Sequence, residues 1–156
     1  MSRHFLNRKE SRDIISRIES MGFEVKDIDT IEVDEQKDVK YFYSSRKAVA
    51  FQRDILIPSL IFMAEHRPNA RFIQVDDGAV PHLLNGADLF AQGIVKLDPV
   101  LKAGDIAYIS NVKGVYFAVG IMTRSAEDII SNRKGNAART IHRANDDYYR
   151  VYSQQK

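Results

Sequence analysis

The chain predicts an α+β fold: a small α/β unit over residues 1–68, packed on a second unit over residues 69–156 that is a compact mixed-β barrel with short helices. Three observations predict it. A long amphipathic helical pattern is confined to the first 21 residues. Short strand-like runs separated by glycine, asparagine and aspartate turns fill most of the rest. Between them, His66-Arg67-Pro68-Asn69 interrupts any helix and shifts the pattern to strand at Arg71. A chain of 156 residues can bury one good core or two small ones, and two units this close should pack together.

Residues Asn7 to Met21 read as a helix, with Ile14, Ile15, Ile18 and Met21 at helical spacing and Gly22 as its stop. Phe23 and Val25 begin an extended region, and Asp34-Glu35-Gln36-Lys37-Asp38 is expected as an exposed turn. Val39 to Tyr43 and Ala48 to Phe51 flank Ser44-Ser45-Arg46-Lys47, which is a hairpin signal. Ile57 to His66 is expected as a helix with Pro58 in its first turn. In the second unit, Phe72, Ile73 and Val75 form a strand entering Asp76-Asp77-Gly78. Either aspartate can cap a short helix bearing Ala79, Val80, Leu83 and Leu84. Gly104-Asp105 turns into the strand Ile106 to Ile109. Asn111 to Gly114 turns again, into the alternating run Val115, Phe117, Val119 and Ile121. Ser125 opens a short helix to about Asn132, and the aromatic tail Asp147 to Tyr152 is expected to close a sheet.

Composition narrows the function classes. A hydrophobic content of 44% with 28% charged residues argues against disorder. No apolar run reaches the length of a membrane span, and the N-terminus lacks a signal-peptide core; a cytoplasmic location without membrane contact is the simplest expectation. Zero cysteines exclude disulfides, thiol chemistry and cysteine-based zinc sites. Four scattered histidines give no metal spacing, and no P-loop or dinucleotide fingerprint is present, so neither metal nor cofactor is expected. Between Ile129 and Asn145 lie Arg133, Lys134, Arg139 and Arg143 with no acid. Such a block is either a footprint for phosphate or a solvated surface, with equal weight.

Beyond these signals, one ordered set of motifs stands out: Val75-Asp76-Asp77-Gly78-Ala79, Asn85-Gly86-Ala87-Asp88-Leu89-Phe90-Ala91-Gln92-Gly93-Ile94, Gly104-Asp105, Ala118-Val119-Gly120 and Lys134-Gly135. Their order resembles a PUA domain, a small RNA-binding β pseudo-barrel. The flanks, Met122 to Ile129, His142 and Asn145-Asp146, with Phe51 to Asp54 and Pro58-Ser59-Leu60 upstream, resemble one PUA group. That group holds the translation factors called multiple copies in T-cell lymphoma and ligatin, with short archaeal homologues. The resemblance implies a pre-PUA α/β domain on a PUA domain, binding of structured RNA such as the tRNA acceptor end, and a role in translation initiation or ribosome recycling. It also implies a separate SUI1-domain partner and the small ribosomal subunit.

On that resemblance, the expected RNA-binding residues are Gly78, Ala79, His82, Gly86, Ala87, Asp88, Phe90, Gly93, Arg124, Lys134, Arg139 and Arg143. The Gly78 helix start can aim backbone N–H groups at a phosphate. Gly86 and Gly93 suit tight turns or close approach by another backbone. Asp88 is a poor phosphate ligand and is assigned to holding its loop through an Asx turn. Phe90 can stack on an unpaired base, although core packing is favoured two to one. The arginines suit phosphate through a planar fork. For His82 a surface or half-buried position without function is favoured, and for His142 a structural hydrogen bond. Two rivals remain. Asp76-Asp77 with His82 or His142 can be imagined as an acid–base set, yet no nucleophile accompanies them, and catalysis is not expected. An adaptor in an RNA-modification or ribosome-biogenesis complex could dock through Tyr41, Phe42 and Tyr43, although two of the three are expected in the core.

Overall fold

The computed structural model describes residues 3–154. Helix α1 (Arg8–Ser20) begins at a reciprocal cap: the Asn7 side chain accepts from Glu10 N at 2.8 Å, and the Glu10 carboxylate accepts from Asn7 N at 3.1 Å. Its buried stripe carries Ile14 and Ile18, and Gly22 follows it at φ +103°. Five strands form an antiparallel sheet in sequential order: β1 (His4–Phe5), β2 (Glu32–Gln36), β3 (Val39–Ser44), β4 (Lys47–Gln52) and β5 (Leu56–Pro58).

Two local expectations change here. The acidic turn is narrower than Asp34 to Asp38, because Val33 and Asp34 pair with Phe42 and Tyr41, and Asp34 is buried. Pro58 ends the edge strand β5, where its missing N–H breaks no ladder. Ser59 then caps α2 (Leu60–Glu65) by accepting from Ile61 N at 3.1 Å. The expected hairpin is present, and its turn residues Ser45 and Arg46 both take left-handed φ, +49° and +69°.

The second sheet is mixed, in the order β7-β11-β10-β9-β6-β8. Its strands are β6 (Phe72–Val75), β7 (Leu89–Phe90), β8 (Ile94–Leu97), β9 (Ile106–Ser110), β10 (Tyr116–Met122) and β11 (Asn136–Arg143), with only β6 and β9 parallel. Helices α3 (Val80–Leu84) and α4 (Ala126–Ser131) lie in its connections. One core collects Ile73, Val75, Leu83, Leu89, Leu101, Ile109 and Ile129.

The tail does not close a sheet. It forms helix α5 (Asp147–Ser153), because Asp146 caps it by accepting from Tyr149 N at 2.8 Å. Tyr148 and Tyr152, four residues apart, then share one helical face. That face covers the first sheet. Tyr148 stacks on Phe51 with centroids 4.3 Å apart, and Tyr152 meets Tyr41 and Tyr43 edge-on. The buried Tyr152 hydroxyl accepts from Phe42 N at 3.1 Å and lies against the carbonyls of Phe42 and Ala50. Tyr108 and Val119 from the second sheet join the same core, so the two units are packed together as expected. All three of Tyr41, Phe42 and Tyr43 are buried. The docking surface imagined on them is therefore overturned, since every ring is used in packing.

Candidate functional site

Strand β6 delivers the chain into Asp76, where the cap differs from expectation. Ala79 occupies the N-cap of α3 and makes no side-chain cap bond. Asp76 closes the preceding turn instead: its Oδ1 accepts from Ala79 N at 3.0 Å. The first free N–H after Gly78 is thereby occupied, and α3 has only five residues. The idea of a helix start aimed at phosphate from Gly78 is not supported.

The two glycine notches also serve the chain itself. A Cβ on Gly93 would sit 3.0 Å from the Ala79 Cβ, and Gly93 O accepts from Asp76 N at 2.9 Å. Gly93 thus lets the 3₁₀ turn Ala91–Gly93 press on the start of α3. Gly86 sits at φ +88°, and a Cβ there would approach Arg143 Nε at 3.3 Å. The group lying against Gly86 is a side chain of β11, not a backbone. Asp88 holds its loop as expected, by a different route. Its carboxylate accepts from Thr140 N and from Asn136 Nδ2, each at 3.3 Å, while Thr140 Oγ1 donates to Ala87 O at 2.8 Å. This clamp replaces the Asx turn. Thr140 was not foreseen; its only signal was its place between Arg139 and Ile141 in the basic stretch.

Between α3, the Gly86–Asp88 loop and β7 lies a cleft of about 640 Å³. It brings together seven of the expected residues: Gly78, Ala79, His82, Ala87, Asp88, Phe90 and Gly93. Gln92 and Asp76 join them. Phe90 is 57% exposed, which overturns the preference for core packing: its neighbours Leu89 and Ala91 point inward, and the alternation of β7 turns the Phe90 ring outward. His82 is on the surface, at the cleft wall.

The cationic strand runs alongside. β11 pairs with β7 through Asn136 opposite Phe90 and Ala138 opposite Leu89, and Ala91 N donates to Gly135 O at 2.8 Å. Lys134 and Arg139 are exposed, and among the described residues their side chains have no hydrogen-bond or ion-pair partner. Arg143 is half-buried against the Gly86 notch.

Two members of the basic set are used internally. The Arg124 guanidinium bonds Asp128 Oδ2 and Lys134 O, each at 2.6 Å, and the carbonyls of Asp128 and Asn132. It clamps the open C-terminal end of α4 and leaves the set of groups available to a ligand. Arg133 reaches back to Ile94 O.

His142 is buried with a structural role, as favoured. Its Nε2 accepts from Leu60 N at 3.2 Å, so the proton sits on Nδ1, which donates to Asp146 Oδ2 at 2.8 Å. Burial works to raise the Asp146 carboxyl. The bonds from His142 and from the N–H groups of Tyr149 and Arg143 outweigh it, and the carboxyl lies below its ordinary range. The His142–Asp146 pair belongs to the contact between the units, where His142 also holds Leu60 N.

Comparison with known proteins fits this architecture. Residues 71–144 match the PUA domain family, and residues 2–66 match a domain of unknown function, DUF1947. A conserved PUA domain protein from Thermoplasma acidophilum superposes with a TM-score of 0.90 at 35% identity, covering 97% of this chain and 99% of that one. Translation machinery-associated protein 20 of Eremothecium gossypii is 33% identical over 98 residues, covering 58% of this chain and 54% of that protein. A probable tRNA pseudouridine synthase B of Korarchaeum cryptofilum is 31% identical over 137 residues, 86% of this chain and 39% of the synthase. The chain thus spans about half of translation machinery-associated protein 20 and 39% of the synthase. The expected α+β architecture is present, with the DUF1947 domain ahead of the pseudo-barrel, and the chain belongs to the PUA-domain family.

Proposed function

We propose that the protein binds structured RNA, taking an unpaired end such as the tRNA acceptor terminus into the Asp76–Gly93 cleft, in a role connected with translation. PUA domains are RNA-binding modules, and two of the named relatives carry translation or tRNA in their descriptions. The observation that carries the reading is the exposed Phe90 ring standing beside β11, where the side chains of Arg139 on the strand and Lys134 just ahead of it have no partner among the described residues. Charge divides the surface into two subsites. Asp76 and Asp88 line the cleft and repel phosphate, so a base enters there and stacks on Phe90. Its phosphates stay outside, on Lys134, Arg139 and Arg143. His82 offers one ring nitrogen to a base edge from the cleft wall.

The protein acts here as a binder, not a catalyst. The small ribosomal subunit and a SUI1-domain protein are its proposed partners, and the cytoplasm its proposed site of action. Binding of an intact tRNA should exceed binding of the same tRNA trimmed of its unpaired 3′ nucleotides by at least about tenfold, the worth of one stacked base. Equal affinities would overturn the cleft as the binding site.

A further inference from the structure

Arg143 faces two ways. It packs on the Gly86 notch beside the cleft, and it also lines a groove of about 510 Å³ between the first sheet and α5. The opposite wall of that groove belongs to the DUF1947 unit. It carries Lys37 on the β2–β3 turn, held outward at φ +58°, and Arg53 just beyond β4; Arg150 on α5 completes the set.

Four cations therefore share a groove with two exposed carboxylates, Asp38 and Asp147. The third acid, Asp146, is committed to His142 and to backbone N–H groups. Arg53 rests 3.2 Å from Asp38, and Arg150 rests 3.7 Å from Asp147. Both pairs are solvent-exposed, and exposed pairs of this kind exchange partners at little cost. Among the described residues the Lys37 ammonium has no partner. The floor is fixed in shape, because Tyr148 is stacked on Phe51.

We propose that this inter-unit groove is a second RNA subsite, in which Lys37, Arg53, Arg143 and Arg150 hold backbone phosphates of the duplex whose unpaired end occupies the cleft. It rests on the proposed RNA-binding reading and gives the DUF1947 unit a direct part in it. Arg143 is the shared contact that joins the two subsites. The groove reads the position of phosphates, not sequence, as expected where an A-form helix hides its bases.

The test uses the full chain, with intact tRNA and a short single-stranded RNA of the acceptor 3′ sequence as probes. The triple variant K37E/R53E/R150E should bind intact tRNA at least tenfold more weakly. Its slope of log K against log salt should be shallower by about 2 to 3. The single-stranded probe should bind within twofold of wild type. Lys37→Glu alone, on an exposed turn, should cost two- to threefold, and it covers the case in which the triple variant fails to fold. Removal of the competing carboxylates in D38N/D147N should tighten tRNA binding by about threefold. Unchanged tRNA affinity in folded Lys37→Glu and D38N/D147N overturns the groove while leaving the cleft intact, as does an equal loss for both probes. Wild-type protein that binds neither probe defeats the RNA reading itself, and the groove with it.

Discussion

Two corners of the second unit are built from the same residue types and end in opposite states. Around α4, an arginine, an aspartate and the turn before Gly135 consume one another: the Arg124 guanidinium bonds one carboxylate and three carbonyls. Around the cleft, Asp76 and Asp88 are also engaged with backbone groups, but Phe90, Lys134 and Arg139 are left facing solvent. The difference teaches that composition does not identify a contact residue. An arginine with four of its five N–H donors committed to closing a helix end has little left for phosphate. An aromatic ring next to a charge-lined cleft remains available even though most aromatic rings in this chain are core.

That contrast can be broken by substitution. The largest effect is expected from Arg139→Glu with Arg143→Glu, which should weaken tRNA binding at least tenfold while the protein remains folded; near-wild-type affinity would remove β11 from the interface. Phe90→Ala should cost about fivefold to tenfold in affinity for an unpaired RNA end, at the low side of roughly 1–3 kcal/mol per stacked base. Because the ring is exposed, the melting temperature should be unchanged, and a large fall would mark Phe90 as a packing residue. Arg124→Ala should show the reverse pattern. It should lose about 1–3 kcal/mol of stability from the unclamped helix end, with RNA affinity within twofold when both are measured below the melting temperature. Gly86→Val should lower both readouts, since a β-branched residue at φ +88° is strained by about 1–3 kcal/mol and crowds Arg143.

The smallest effect is a pH dependence. The folded Asp146 carboxyl is depressed below its unfolded value. Its contribution to stability is thus complete above the unfolded range near pH 4, and it fades as pH falls through the lower folded value. Asp146→Asn should be less stable than wild type at neutral pH and should converge toward it in acid. A gap between the two that stays constant across the acid range would show that the carboxylate charge is not what holds this corner.

Much of the fold was legible, and the failures share a cause. The α1 stripe, the β3–β4 hairpin and the turn at Asn111 announce themselves through local period and turn chemistry. Tail residues Asp147 to Tyr152 read as a strand because of their aromatic content, yet Asp146 caps them into a helix whose aromatic face is satisfied by a sheet more than ninety residues earlier in the chain. Pro58 looked like a helix starter because nothing local revealed that the strand before it was an edge. At the site, the residues of the cleft could be named from their resemblance to a family, but apart from the loop-holding of Asp88 most of their duties could not. Gly93 and Gly86 are small because Ala79 and Arg143 lie against them, and Arg124 is an arginine because α4 ends nearby. Those partners are distant in sequence, except for Arg124, where the competing reading was simply the commoner use of arginine in an RNA-binding chain.

The most direct measurement is a titration of the labelled protein with a short RNA carrying the unpaired acceptor 3′ sequence, followed through backbone amide NMR shifts. Perturbations should gather at Gly78 to Gly93 and at Lys134 to Arg143, leaving Ser125 to Asn132 unmoved. Shifts confined to the α4 corner, or a spectrum unchanged at saturating RNA, would contradict the assignment of the cleft.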